Sequence, residues 1–299
     1  MKITRRAMLS TAAAVGMSPA ALAAISPTKP AQFDGAIAPR LRLSLCGYSL
    51  RDYLSDGKKP GKMTYDDFLE LAAAWGLDAV ELTSYYFPSE DKEYLHALKA
   101  KAFKLGLDIS GAATNNNFCY PAGANLDESL AHTRKWIDNA AELGAPVLRV
   151  FAGNKVRDIE DVAAVDNVIA GMKTASDYAA ERGVFLALEN HGYLTDSADS
   201  ILHIVQSVNN PWFGINLDTG HFKDAPYESM IKVLPHTVTL HAKTMITENG
   251  ERKPADYDRI AKLLRDANYR GYIALEYEEK DDPMIAVPRI IEALRKSLC

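Results

Sequence analysis

Short apolar runs and longer amphipathic segments alternate along this chain from residue 41 onward. The runs, at 41–47, 79–83, 107–113, 146–151, 184–190, 213–218, 237–242 and 272–277, have the length and continuous hydrophobicity of strands buried on both faces. Each is followed by a segment of helical period, at 64–75, 91–105, 126–143, 160–182, 197–208, 226–234, 256–267 and 283–297. Thr64 ahead of Asp66 and Asp67 reads as a helix start, and Gly76, Gly106, Gly144 and Gly183 each fall where a helix must stop before the next strand. Repetition of one strand-helix-glycine unit predicts a parallel α/β fold. Eight units favour closure into a barrel over an open doubly wound sheet, and no glycine-rich nucleotide loop supports the open sheet.

Length agrees with one such domain. A barrel of eight βα units takes about 250 residues, and 41–299 supplies 259. Residues 1–24 have a different character: Arg5 and Arg6 precede a mildly apolar stretch from Leu9 to Gly16, then small residues ending Ala21-Leu22-Ala23-Ala24. This predicts a twin-arginine export signal and a periplasmic destination. Residues 25–40, with Pro27, Pro30 and Pro39, read as a linker.

Loss of Lys2, Arg5 and Arg6 with the leader would move the formal charge from −5 to −8. An acidic mature chain argues against nucleic acid or an anionic membrane surface as partner. No other stretch approaches the ~20 apolar residues of a membrane span, so no membrane anchor is expected. Three cysteines, Cys46, Cys119 and Cys299, imply no full disulfide framework, and Cys46 reads as a buried strand residue.

The chemistry is concentrated at four strand ends. Glu189 closes VFLAL, Asp218 closes FGINL, His241 follows VTL and Glu276 follows YIAL, at separations of 29, 23 and 35 residues. In a parallel barrel these ends ring one mouth, so the four side chains can converge on one divalent cation. His221 stands three residues after Asp218. A single Glu at a strand end is ordinarily solvated, and Asp-x-x-His often only caps a helix; the coincidence of four in successive units is what carries the metal reading. Oxygen ligands with one or two imidazoles suit Mn2+, Zn2+, Co2+ or Mg2+.

The segments ALENHG, NLDTGH, LHAK and ALEYE resemble those of the xylose-isomerase-like TIM barrels, a superfamily of sugar isomerases, ketose 3-epimerases and inosose dehydratases, with endonuclease IV more distant. The resemblance spans 41–299, with its specific motifs in 184–278, and implies a (β/α)8 TIM barrel as a single domain after the export signal. It also implies metal ligation by Glu189, Asp218, His241 and Glu276, with Glu189 and Glu276 doubling as acid and base, and a substrate or second-metal contact for His221. The activity implied is a divalent-metal-dependent sugar isomerase or epimerase. Such chemistry removes a proton next to a carbonyl, and the enediolate that forms needs its charge stabilised by a Lewis acid.

Other residues are candidates for binding the sugar. Lys243 shares a strand face with His241, and His191 shares one with Glu189, although a structural hydrogen bond would explain His191 equally well. His96, His132, His203 and His236 fall on helices or their ends and read as solvated. Glu81 and Arg149 are expected in one interior layer, as a buried ion pair in preference to substrate contacts. Tyr48, Tyr85, Tyr86, Asn115, Asn116, Phe118 and Tyr120 follow the first three strands at the same mouth, where aromatic faces and amides suit a sugar. The segment Asn154-Lys155-Val156-Arg157 reads as a solvated loop.

Missing motifs narrow the choice. AKTMITENGE after His241 lacks the Asp-x-His of the endonuclease branch, and strands two and three end without histidine, which excludes a trinuclear DNA-repair site. No glycine-rich phosphate cradle follows strand seven or eight, so the sugar is expected to be unphosphorylated. Two alternatives stay open: a dehydratase or 3-keto-glycoside lyase using the same metal and base, and a non-catalytic exported sugar-binding protein. The sequence fixes neither the sugar nor the oligomeric state, and a homo-oligomer stays open.

Overall fold

A computed structural model describes residues 40–55 and 61–298. The leader expected over 1–24, the rest of the linker up to 39, and Cys299 lie outside the described residues. Arg40, the last position of that linker, reaches Asp78 at 2.6 Å.

Among the described residues, eight parallel strands close into a barrel: β1 (Arg42–Cys46), β2 (Ala79–Thr83), β3 (Asp108–Ala113), β4 (Val147–Val150), β5 (Phe185–Glu189), β6 (Phe213–Asp218), β7 (Thr237–Ala242) and β10 (Tyr272–Leu275), in the cyclic order β1-β10-β7-β6-β5-β4-β3-β2. One helix follows each: α1 (Tyr65–Ala74), α2 (Lys92–Lys104), α3 (Ala124–Leu143), α4 (Asp161–Arg182), α5 (Ala198–Val208), α6 (Pro226–Val233), α7 (Tyr257–Asp266) and α8 (Pro283–Leu298). The expected barrel is therefore the observed one.

Side chains alternate along each strand between barrel interior and helix layer. Leu45, Leu82, Leu148, Leu188, Leu217, Leu240 and Leu275, all buried, join the core shared with the helices, each contributing about 1.5–3 kcal/mol through burial. The interior positions toward the C-terminal mouth are polar instead: Glu81, Arg149, Glu189, Asn216, Asp218, His241 and Glu276. One step below, Ser44 and Ser110 pair their hydroxyls at 2.7 Å. Polar groups removed from water in this way are tolerated only where they pair with one another or with something bound among them.

The punctuation behaves as its chemistry requires. Thr64 and Asp67 form a reciprocal capping box on α1, and Gly144 and Gly183 end α3 and α4 at φ of 74° and 67°. Register slips between Val80 and Glu81 on β2 and between Ile215 and Asn216 on β6, re-aiming the interior residues beyond them.

One element departs from expectation. The stretch after β7, to which the sequence reading assigns no element, forms an antiparallel hairpin of β8 (Met245–Glu248) and β9 (Glu251–Pro254) beside the mouth. Asn249 and Gly250 turn it at φ of 54° and 77°, the geometry of a two-residue hairpin turn with both central residues left-handed. No described helix is long and apolar enough to cross a membrane.

Candidate metal centre

Glu189, Asp218 and His241 project from the last turns of β5, β6 and β7, and Glu276 stands one residue beyond β10. Each offers one ligand atom, and the four atoms lie within 4.8 Å of one another. All four residues are buried. Asp218 is held from behind by Asn190, whose amide donates to its carbonyl at 2.9 Å and accepts from its N–H at 2.7 Å. Gly220 then gives the chain room to turn: a Cβ there would stand 2.8 Å from Lys243 Cγ and 2.9 Å from the Met245 carbonyl.

The donor atoms at the centre are unsatisfied. Glu189 Oε2, Asp218 Oδ2, His241 Nδ1 and His221 Nδ1 are buried and make no well-formed hydrogen bond; their nearest polar neighbours are one another and the ion-pair partners Arg149, at 3.0 Å from Glu189 Oε2, and Glu276, at 3.3 Å from His241 Nδ1. Charge points the same way. With His241 neutral, as a metal ligand must be, four buried carboxylates, Glu81, Glu189, Asp218 and Glu276, face two buried cations, Arg149 and Lys243, and a divalent cation would balance the difference; without an ion, part of that charge falls on His241. Burial opposes charging His241, yet Glu81 and Glu276 outweigh it and raise the imidazole well above its ordinary value. Burial raises Glu189 against the pull of Arg149, whereas His241 and Lys243 overcome burial at Glu276 and hold it well below the carboxylate range. The residues present, three carboxylates and an imidazole, fit a small divalent cation.

The expected Glu81–Arg149 ion pair is replaced by two others. Glu81 Oε1 lies 2.9 Å from His241 Nε2, which leaves Nδ1 facing the centre, the arrangement in which a carboxylate orients a ligating histidine. Arg149 Nε lies 3.0 Å from Glu189 Oε2, and its NH1 donates to the Thr114 carbonyl at 3.0 Å. The two residues share the layer as expected, but the curvature of the barrel puts each next to a different partner.

Lys243 Nζ donates to Glu276 at 2.7 Å and to Glu278, and lies 3.4 Å from Asp218 Oδ2. His221 Nδ1 lies 3.3 Å from Asp218 Oδ2 and 3.8 Å from Glu189 Oε1. His191 sits at the rim with its ring 4.6 Å from that of Phe151 and edge-on to His221 at 4.5 Å. Crowding by protein atoms, then His221 and Arg149, push His191 down to about 4, although the residue opens to the mouth. Tyr48, Tyr85, Arg149, Phe151, His191 and His221 line a cavity of about 220 Å3 above Glu189 and Glu276. Asn116 is placed differently: its amide donates to the Phe151 carbonyl at 2.6 Å and accepts from the Phe151 N–H at 2.8 Å, so it fastens two loops and has little left for a sugar.

Three contributors escape a reading of the sequence alone. Phe151 lies two residues after Arg149 and takes its guanidinium 4.0 Å above the ring. Glu278, two residues after Glu276, shares Lys243 with it. Same-face spacing was the available signal for both. His132, expected to be solvated, is half-buried and lies 2.9 Å from the Thr114 hydroxyl. Cys46 is buried and free, as expected, and Cys119 likewise.

Known proteins share this architecture. A family model described as xylose isomerase-like TIM barrel matches residues 69–297. A 3-dehydroshikimate dehydratase of Bacillus anthracis is 24% identical over 214 residues, covering 69% of this chain and 72% of that protein. A xylose isomerase-like TIM barrel protein from Mycobacterium smegmatis, solved in complex with magnesium, superposes with a TM-score of 0.68 at 17% identity, over 86% of this chain and 96% of that one. The 3-keto-D-glucoside 4-epimerase of E. coli, in its apo form, gives a TM-score of 0.67 at 14% identity, over 86% and 99%.

Proposed function

The chain belongs to the xylose isomerase-like TIM barrel family, and from that premise we propose that it is a divalent-metal-dependent sugar isomerase or epimerase that removes and returns a proton next to a carbonyl. The observation that carries the reading is the convergence of four buried, partly unsatisfied ligand atoms within 4.8 Å at the floor of a cavity. A cation held by Glu189, Asp218, His241 and Glu276 supplies Lewis-acid stabilisation of the negative charge that develops on the substrate.

The chain's own residues do the rest. Glu189 on β5 and Glu276 beyond β10 are separated around the barrel by β6 and β7, so they face the cavity from different sides. One takes the proton from carbon and the other returns it to the opposite face, which inverts the stereocentre; return at the neighbouring carbon, with a proton moved between the two enediolate oxygens, gives isomerisation. His221 borders the same space and is placed to hold a substrate hydroxyl, while Lys243 lines an adjoining cavity of about 180 Å3 that shares His221, Glu276 and Glu278 with it. The cations are otherwise engaged: Arg149 by Glu189, Lys243 by Glu276 and Glu278, and Arg252 by Glu279 at 2.6 Å. That supports a neutral, unphosphorylated sugar over a phosphate or carboxylate.

Replacing Glu276 by Gln is expected to lower turnover on an accepted ketose by ~10²–10⁴-fold with an unchanged circular dichroism spectrum. Turnover at the level of the parent protein would overturn the acid-base assignment. A second reading, elimination of a β-leaving group from the same enediolate, draws support from the space beside the central cavity and from the likeness to a dehydratase; product identification separates it from epimerisation. We also propose export through the twin-arginine signal, for which replacement of Arg5 and Arg6 by Lys is expected to retain the protein in the cytoplasmic fraction. Unchanged periplasmic recovery would contradict that.

A further inference from the structure

We propose that the substrate is a glycoside of at least two rings, its carbonyl-bearing ring over Glu189 and Glu276 and a second, neutral polyhydroxylated ring in a larger cavity beside it. This rests on the enolisation chemistry above and names the substrate class for it.

The lateral cavity, of about 590 Å3, lies between the loops that follow β3 and β4 and the start of α3. It shares Tyr85, Phe151 and His191 with the central cavity of about 220 Å3, so the two adjoin. Binding sites for drug-sized ligands span roughly 300–1,000 Å3. The central cavity alone falls short of that range, and the two together fall within it.

Its chemistry is that of a sugar site. The side-chain amides of Asn115, Asn125 and Asn154, the Tyr120 hydroxyl and the Glu128 carboxylate line it, all but Tyr120 exposed, and make no side-chain hydrogen bond to any described residue, whereas neighbouring amides are committed. Asn116 is tied to the Phe151 backbone, and Asn117 accepts from the Cys119 N–H at 3.0 Å and donates to the Asn154 carbonyl at 3.2 Å. The wall is thereby fixed and the remaining groups are left to recognise something else. No Lys or Arg lines the cavity, so nothing there rewards an anion, and Glu128 would repel one. Amides and a carboxylate matched to hydroxyls, with the aromatic side chains of Tyr85 and Phe151 in the lining, describe a second sugar ring better than an apolar aglycone.

The test compares the metal-loaded protein on methyl 3-keto-D-glucosides of both anomers and on the 3-keto derivatives of trehalose, maltose and cellobiose. Deuterium incorporation in D2O and product formation are followed by NMR. At least one disaccharide is expected to exceed the matching methyl glycoside by about tenfold or more in kcat/KM. Joint replacement of Asn125 and Asn154 by Ala, both exposed, is expected to cut that ratio at least about fivefold. A ratio near one, or a ratio the double replacement leaves unmoved, overturns the proposal while leaving the enolisation reading intact. Exchange on neither class of sugar, with metal bound, defeats the enolisation reading. Titration then decides the cavity on its own: tighter binding of a disaccharide than of its methyl glycoside, weakened by the double replacement, upholds it, and equal or absent binding overturns it.

Discussion

His241 owes its orientation to a residue 160 positions away. With Nε2 bound to Glu81 at 2.9 Å, its Nδ1 is left facing Glu276, Glu189 and Asp218. Because such outer partners are typically worth 10–100-fold in metal affinity, Glu81→Gln is expected to weaken Mn2+ or Mg2+ binding by about that factor, measured by competition with a chelating dye. Unaltered affinity would show that Glu81 merely packs. At this scale the sequence was legible to an uneven degree. The four ligands could be read because each ends an apolar run, and strand ends in a parallel barrel share a mouth. The partner of each could not, since it depends on how the strands are staggered around the ring. Arg149 meets Glu189 in place of Glu81, and a register slip beside Glu81 helps to decide that. Asn116 was legible as a mouth residue but not as a loop fastener, because nothing in its neighbours announces the Phe151 backbone as its partner.

The helices and strands were legible wherever hydrophobic period and end signals agreed. α1 is an example: Thr64 accepts from the Asp67 N–H at 3.3 Å while the Asp67 carboxylate accepts from the Thr64 N–H at 2.8 Å. The bonds that the Thr64 N–H and, secondarily, the Thr64 hydroxyl donate to the Asp67 carboxylate lower its pKa from the ordinary value. A carboxylate depressed in the folded state stabilises above its unfolded pKa, near 3.9, and loses that contribution as pH falls through the folded value. Asp67→Asn is therefore expected to destabilise at neutral pH, by a cap's worth of about 0.5–2 kcal/mol at most, and the gap from the parent protein should narrow below about pH 4. A gap that stays constant across that range, in urea unfolding followed by circular dichroism, would remove the cap from the account. The hairpin β8–β9 was missed for the converse reason. All four residues of β9 are exposed, so no hydrophobic alternation marks it, and Asn249-Gly250 was its only signature.

For the molecule as a whole, barrel closure does what no single element can: it brings residues from four strands to one point and leaves them short of positive charge. The count of eight units, the single domain and the mouth that carries the chemistry followed from the repeat alone. The lateral cavity did not, because Asn115, Asn125, Glu128 and Asn154 come from two loops and the start of a helix whose mutual placement only the folded chain defines. Metal-assisted enolisation at this centre is the central claim, and proton exchange tests it most directly. The metal-loaded protein is incubated in D2O with a panel of ketoses and 3-keto-glycosides, and deuterium at carbon is followed by NMR. The account expects deuterium beside the carbonyl of at least one sugar, abolished by a chelator, restored by added metal and lost in Glu189→Gln. Absence of exchange across the panel, with the ion confirmed at its site, would contradict it and leave a protein that binds sugar without transforming it.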